Sequence, residues 1–203
     1  MKLVTSGQMR LIENRDLNDR NYSEDDYILS CALNLQDALI TENTSKPLLV
    51  CGPGRNGSVG FMLATLLLKT SNLSPVIMYA GRDADDRYVS LCNSSGIKLC
   101  AEPRKIRELL ENSDLVIDCL YGVELEEMVS YPADYLISQI NQSGLRVISA
   151  DLPSGVDGDD GSIFGSAIKA DRTVCFEMAK LGLYLTPACQ YAGTISVGHT
   201  GLS

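Results

Sequence analysis

From Lys46 onward the chain alternates short, continuous apolar runs with longer amphipathic stretches, and this rhythm limits the fold more than any other feature. The runs are Pro47–Cys51, Pro75–Tyr79, Ile97–Cys100, Leu115–Asp118 and Val147–Ala150, and the stretches between them are Ser58–Lys69, Asp83–Ser94, Arg104–Asn112 and Ala133–Asn141. A run that is apolar throughout suits a strand covered on both faces, and strands alternating with helices close into a parallel sheet with helices on either side. Two later runs, Thr173–Phe176 and Thr194–Val197, are expected to add strands at one side. Ahead of this pattern, two amino-terminal helices are expected. Ser6 is placed to cap the first, and Ser23 followed by Asp26 forms a capping box for the second, in which Ile28, Leu29, Ala32, Leu33, Leu35, Gln36 and Leu39 recur at helical spacing. A single domain over residues 1–203 is expected.

Composition excludes several classes of function. Hydrophobic residues make up 45% of the chain and charged residues 21%, which rules out a mainly disordered protein. The net charge of −9 is scattered along the chain, so the basic face that nucleic-acid phosphates demand is missing. The longest apolar stretches, such as Phe61–Leu68, fall far short of the ~20 residues of a membrane span, and the start carries no apolar signal core. Seven cysteines with no CxxC pair read as small buried hydrophobes in a reducing cytoplasm, and the Asn-x-Ser/Thr triplets at Asn21, Asn72 and Asn93 as chance. With His199 as the only histidine, a Ser-His-Asp hydrolase or a multi-histidine zinc site is excluded in practice.

In helix-flanked parallel sheets the ligand crevice lies beyond the carboxyl ends of the strands. Gly52-Pro-Gly54-Arg-Asn-Gly57-Ser-Val-Gly60 follows the first such strand. Its glycines let backbone amides approach a ligand, and the helix that follows offers its amino end to an anion. The spacing G-x-G-x-x-G, with Asp83 where a ribose-binding acid would stand, leaves open an ordinary nicotinamide dehydrogenase, or a tight turn and nothing more. Asp118, closing the fourth strand, points into the crevice or caps the next turn. Ala150-Asp151-Leu-Pro-Ser154-Gly-Val-Asp157-Gly-Asp-Asp-Gly161, after the fifth strand, gathers several oxygens over a short distance but lacks the spacing of a calcium loop.

The set Val4-Thr-x-x-Gln8-Met9-Arg10, Gly52-Pro-Gly-x-Asn56-Gly, Asp118-x-Leu-Tyr-Gly122, Asp151-Leu-Pro-Ser-Gly-Val-Asp-Gly158 and Ala170-Asp-x-Thr-Val-x-Phe176-x-x-x-Lys180-x-Gly-Leu183, with Gly193-Thr-Ile-x-Val197, resembles the NAD(P)H-hydrate epimerase family, the YjeF N-terminal domain. The resemblance implies a Rossmann-like three-layer α/β/α sandwich with a mostly parallel sheet, a homodimer, and interconversion of the R and S epimers of NADHX and NADPHX beside an S-specific dehydratase. By the same resemblance Asp151 is the acid at the reacting ring. Asn56, Asp118 and Ser154 hold one potassium ion per subunit. Arg55, Asn56, Gly57, Ser58 and Val59, with Gly122, Val123, Glu124, Leu125, Glu126, Glu127 and Met128, cradle the dinucleotide. Oxygen ligands with a single carboxylate suit a weakly held hard cation. Lys180 has two readings, charge balance near the site or a solvated helix lysine.

Three segments depart from the family pattern. Arg55-Asn56-Gly57-Ser58-Val59-Gly60 stands where Asn-Asn-Gly-Gly-Asp-Gly is usual, Leu29-Ser-Cys-Ala-Leu-Asn34 where Met-Glu-Asn-Ala-Gly is usual, and Glu124 in place of a glycine. Arg55 is expected to compensate by pairing with a phosphate. A second reading follows from the same departures: a non-catalytic relative that keeps the fold for dinucleotide binding, dimerisation or scaffolding.

Overall fold

The computed structural model describes residues 2–19, 22–71, 73–82 and 86–202. Its elements run β1 (Leu3–Val4), α1 (Ser6–Asp19), α2 (Glu24–Leu39), β2 (Pro47–Cys51), α3 (Arg55–Thr70), β3 (Val76–Tyr79), α4 (Arg87–Ser94), β4 (Lys98–Cys100), α5 (Ile106–Glu111), β5 (Leu115–Cys119), α6 (Ala133–Gln142), β6 (Val147–Ala150), β7 (Arg172–Phe176), β8 (Ala179–Lys180) and β9 (Thr194–Gly198). The main sheet has the order β4-β3-β2-β5-β6-β7-β9, and every pairing in it is parallel. Among the described residues, antiparallel pairing is confined to one bridge, Val156 with Ile163. The expected α/β sandwich is therefore what forms.

Alternation along each strand divides the core between the two faces. Leu49 and Cys51 of β2, with Ile117 of β5 and Ile148 of β6, meet Ile28, Leu35, Leu63 and Leu67 of α2 and α3. Leu48 and Val50, with Val116 and Val147, meet Ile106, Leu110, Leu136 and Ile140 of α5 and α6. Both faces of β2 and β5 are buried from end to end, which is why their sequences read as unbroken apolar runs. The chain leaves β2 toward β3 and β4, then returns to lay β5 on the other side of β2, so the strand order reverses between β2 and β5. Crevices in such sheets open at that reversal, and here it sets the loop Gly52–Gly54 beside the end of β5.

Two local expectations are corrected. Thr5, not Ser6, caps α1: its hydroxyl accepts from the Gln8 N–H at 3.0 Å while Gln8 Oε1 accepts from the Thr5 N–H at 2.9 Å, a reciprocal box that Ser6 cannot make from inside the helix. Cys189 is exposed, whereas the other six cysteines are buried. The Ser23–Asp26 box on α2 is present. Asp83, Asn21 and Asn72 lie outside the described residues. No helix among the described residues is long and apolar enough to cross a membrane.

Candidate active site

Asp151 follows β6 directly, in the left-handed backbone region at φ 67°. Aspartate is one of the few side chains that tolerate this region. The turn keeps the main chain paired to β7, with the Asp151 N–H on Val174 O at 2.8 Å, while the carboxylate swings out over the strand ends. Its Oδ1 takes the Phe176 N–H at 3.1 Å and the Lys180 ammonium. Among the described residues no hydrogen bond is donated to Oδ2, and Asp151 lines a small pocket. Lys180 belongs to β8, not to a solvated helix, and is wholly buried. Burial, the largest single effect, lowers its pKa, but Asp151, Cys175 and Glu13 together more than offset it and the net shift is upward, so the lysine stays charged.

The pocket is lined by Glu13, Tyr27, Cys31, Arg55, Asn56, Val59, Gly122, Val123, Glu124, Asp151 and Phe176, drawn from both amino-terminal helices, the glycine loop and the ends of β5, β6 and β7. Its volume of about 20 Å³ takes roughly one water molecule. A drug-sized ligand occupies a pocket of some hundreds of Å³, so lining groups must move before a dinucleotide enters. Glu13 is a buried acid of α1, taking the Tyr27 hydroxyl at 2.9 Å and Arg55 Nη1 at 2.7 Å. Burial raises its pKa, Asp151 adds to the rise, and Arg55 and Tyr27 oppose it. Arg55 also reaches Glu24 at 3.1 Å and lies over the Tyr27 ring. The guanidinium expected to await a phosphate is thus already engaged by two carboxylates.

Of the residues expected to hold a cation, Asp118 and Ser154 are hydrogen-bonded to each other, and Asn56 is linked to them through the Tyr121 carbonyl that it shares with Ser154. Asn56 Nδ2 donates to Tyr121 O at 2.9 Å and Ala150 O at 3.1 Å, while its Oδ1 is buried without a hydrogen-bond partner. A buried amide oxygen left unpaired is costly and marks a place for a water, an ion or a ligand. Asp118 is fully buried and accepts from four donors: Ser154 Oγ at 2.6 Å, Ser149 Oγ at 2.8 Å, Ser154 N–H at 2.9 Å and Leu120 N–H at 3.2 Å. Burial raises its pKa and these hydrogen bonds resist the rise. Ser154 Oγ also accepts from the Tyr121 N–H at 2.9 Å. Asp118 thereby ties the end of β5 to the loop after β6, and of the three residues Asn56 has the open oxygen.

The two expected substrate loops divide. Gly57 leaves no room for a Cβ against the Gly52 carbonyl, Ser58 Oγ accepts from Arg82 at 2.7 Å, and Val59 is buried in the pocket wall. Gly122, Val123 and Glu124 line the pocket, whereas Leu125 to Met128 do not. Glu126 pairs with Arg10 at 2.8 Å, Glu127 is exposed, and Met128 projects outward. Sequence reasoning missed Glu13, Tyr27, Cys31 and Phe176. One signal was available for Glu13: an acid four residues after the buried Met9, on the inward face of an otherwise polar helix. Sequence reasoning also gave Arg82 no structural role, yet its buried fork holds the glycine loop, with Nε on Gly52 O at 2.8 Å and Nη2 on Gly54 O at 2.7 Å.

Comparison with known proteins fits this geometry. The family model described as YjeF-related protein N-terminus matches residues 28–182. The bifunctional NAD(P)H-hydrate repair enzyme Nnr of Coxiella burnetii is 35% identical over 158 residues, covering 75% of this chain and 32% of that protein. The chain thus spans about a third of that relative's length. The NAD(P)H-hydrate epimerase of Limosilactobacillus fermentum is 29% identical over 201 residues, 96% of this chain and 94% of that protein. Among solved structures, that of the yeast protein ynu0 superposes with a TM-score of 0.81 at 18% identity, covering 97% of this chain and 87% of that one, a likeness of fold.

Proposed function

Since the chain belongs to the family of YjeF-related protein N-terminal domains, we propose that it is an NAD(P)H-hydrate epimerase acting on NADHX and NADPHX. The observation that carries the reading is Asp151, one oxygen clamped by Lys180 and the Phe176 N–H and the other open to the pocket. Epimerising a hydroxylated ring carbon means releasing the hydroxyl as water and readmitting water on the opposite face. The first step consumes a proton and the second returns it. Asp151 Oδ2 is the group placed to carry that proton, and general acid–base help of this kind is typically worth ~10²–10⁴-fold. The ring left between the two steps is cationic, and Glu13 and Glu124 line the same pocket as Asp151, a surrounding that favours positive charge.

The same reading gives the site one potassium ion per subunit, held by Asn56, Asp118 and Ser154. The partnerless Asn56 oxygen supports it, and Asn56 is the ligand whose loss should weaken binding most, because Asp118 is shared among four donors. When bound, the ion would offset the negative charge that Asp118 and Asp151 bring to the strand ends. Exposed apolar side chains on the helices, among them Leu11, Leu33, Ile40 and Leu68, support a homodimer. The bifunctional relatives support work alongside an S-specific dehydratase. A cytoplasmic setting suits a chain whose cysteines are all free thiols.

A coupled assay tests the reading. R-NADHX is supplied with an S-specific dehydratase and potassium, and recovery of NADH is followed. Recovery well above the spontaneous rate is expected. Recovery at the spontaneous rate rejects the epimerase and leaves the non-catalytic reading.

A further inference from the structure

Among the described residues, only two other than glycine take the left-handed backbone region, Asp151 at φ 67° and Glu177 at φ 58°. Each is the middle of a three-residue turn, closed by the Leu152 N–H on Ala150 O at 2.8 Å and by the Met178 N–H on Phe176 O at 2.7 Å. Such γ-turns with positive φ are rare and strained. Asp151 follows β6 and Glu177 follows β7, so the two turns stand at the ends of neighbouring parallel strands. Their side chains repeat one contact. Asp151 Oδ1 takes the N–H of Phe176, which ends β7, and Glu177 Oε2 takes the N–H of Thr200, just beyond β9, at 2.7 Å. The short side chain of aspartate tolerates the left-handed region, but glutamate has no such advantage.

What holds Glu177 there is the segment after β9. Its N–H donates to Gly198 O at 2.8 Å, and Oε2 accepts from the Thr200 hydroxyl at 3.0 Å as well as from the N–H. Burial acts to raise the Glu177 pKa, but the Thr200 hydrogen bonds and His199 together outweigh it and the net shift is downward, so the carboxylate stays ionised. The segment is itself pinned to α2, with Asn34 Nδ2 on His199 O at 2.9 Å and the Tyr22 hydroxyl on Thr200 O at 2.6 Å. On the other side of the turn, Phe176 gives its N–H to Asp151 and its carbonyl to Lys180.

We propose that Glu177 is a positioning residue for the reaction at Asp151: its carboxylate, fastened to Thr200, holds the strained turn through which Phe176 fixes both Asp151 and Lys180. Glu177 lies outside the pocket and acts through Phe176, which lines it. Relaxing φ at Glu177 turns the peptide plane that carries the Phe176 carbonyl, and the ammonium bound there moves with it. The effect on turnover rests on the epimerase reading, whereas the hold on the turn does not.

The test compares Glu177→Ala, which keeps the strain and loses the anchor, with Glu177→Gly, which loses both. In the coupled assay, on variants shown to be folded by thermal melting, kcat of Glu177→Ala should fall about tenfold or more with KM near that of the wild type, because a misplaced reacting group costs rate. Glu177→Gly should recover most of that loss, since glycine takes positive φ unaided. Wild-type kcat in Glu177→Ala, a loss carried by KM, or Glu177→Gly no better than Glu177→Ala overturns the proposal and leaves Glu177 a fastening for the segment after β9. Hydrogen exchange gives a reading that needs no turnover: the Phe176 amide should exchange about tenfold or more faster in Glu177→Ala than in the wild type, with Leu49 and Ile117 unchanged. An unchanged Phe176 amide, or equal acceleration at all three, overturns the proposal as well. An inactive wild type would reject the epimerase and leave the exchange result to decide the proposal by itself.

Discussion

Lys180, wholly buried, spends its ammonium on Asp151 Oδ1 and on the Phe176 carbonyl at 3.2 Å. Removing one member of a buried pair strands the other charge, which typically costs about 3–5 kcal/mol. Lys180→Met should therefore destabilise the fold by an amount of that order, measured by urea denaturation. Adding Asp151→Asn to it should cost less than the sum of the single changes, because the second change removes the stranded charge. Strict additivity would show that the two are not coupled.

Asp151→Asn keeps the shape of the side chain and removes its ability to carry a proton. Turnover in the coupled assay should fall by ~10²–10⁴-fold while dinucleotide binding is largely kept. Turnover equal to wild type would take Asp151 out of the reaction.

Glu13 should impose a pH dependence on stability. Its carboxyl titrates above its ordinary 4.5 in the folded state, chiefly because burial disfavours the charge. Between 4.5 and the folded value the native state binds more protons than the unfolded one, so this contribution is full below 4.5 and is lost as the pH rises through the folded pKa. Glu13→Gln lacks it. The stability difference, wild type minus variant, should fall as the pH rises from 4.5 through the raised folded pKa, and a flat difference would contradict the assignment.

Arg82 holds Gly52 O, Gly54 O and Ser58 Oγ with one fork and pairs with Asp86 at 2.6 Å. A lysine retains the charge but not the planar geometry that serves these acceptors together. Arg82→Lys should raise KM for the dinucleotide more than it lowers kcat, since the role proposed for the loop it shapes is binding and not reaction. A fall in kcat alone would argue that the loop's shape is set elsewhere.

Much of the layout was legible in the sequence because the strands are covered on both sides: the boundaries expected for Pro47–Cys51 and Val147–Ala150 match β2 and β6. The two-residue strands β1 and β8 were not legible, as pairs that short leave no periodicity. At the site, Asp118 and Asp151 were readable from position, one near the end of β5 and the other directly after β6, whereas Asn56 in the first turn of α3 and Ser154 in the loop beyond β6 were named through the family resemblance. Glu13, Tyr27 and Cys31 were not readable, because they reach the pocket only through the docking of α1 and α2, and local pattern carries no information about which helix covers which strand end. Arg55 shows the limit in another way. A basic residue in a glycine loop suggests a phosphate, yet the buried acid forty-two positions earlier claims it first.

Val4 sits in register with Lys180 where β1 runs beside β8. The opening of the chain is thereby sutured to the residue that steadies the Asp151 carboxylate. Anything that tugs on Leu3, such as a fused partner, a purification tag or a nearby cleavage, acts as a lever on that carboxylate, although it lies far from Asp151 along the chain.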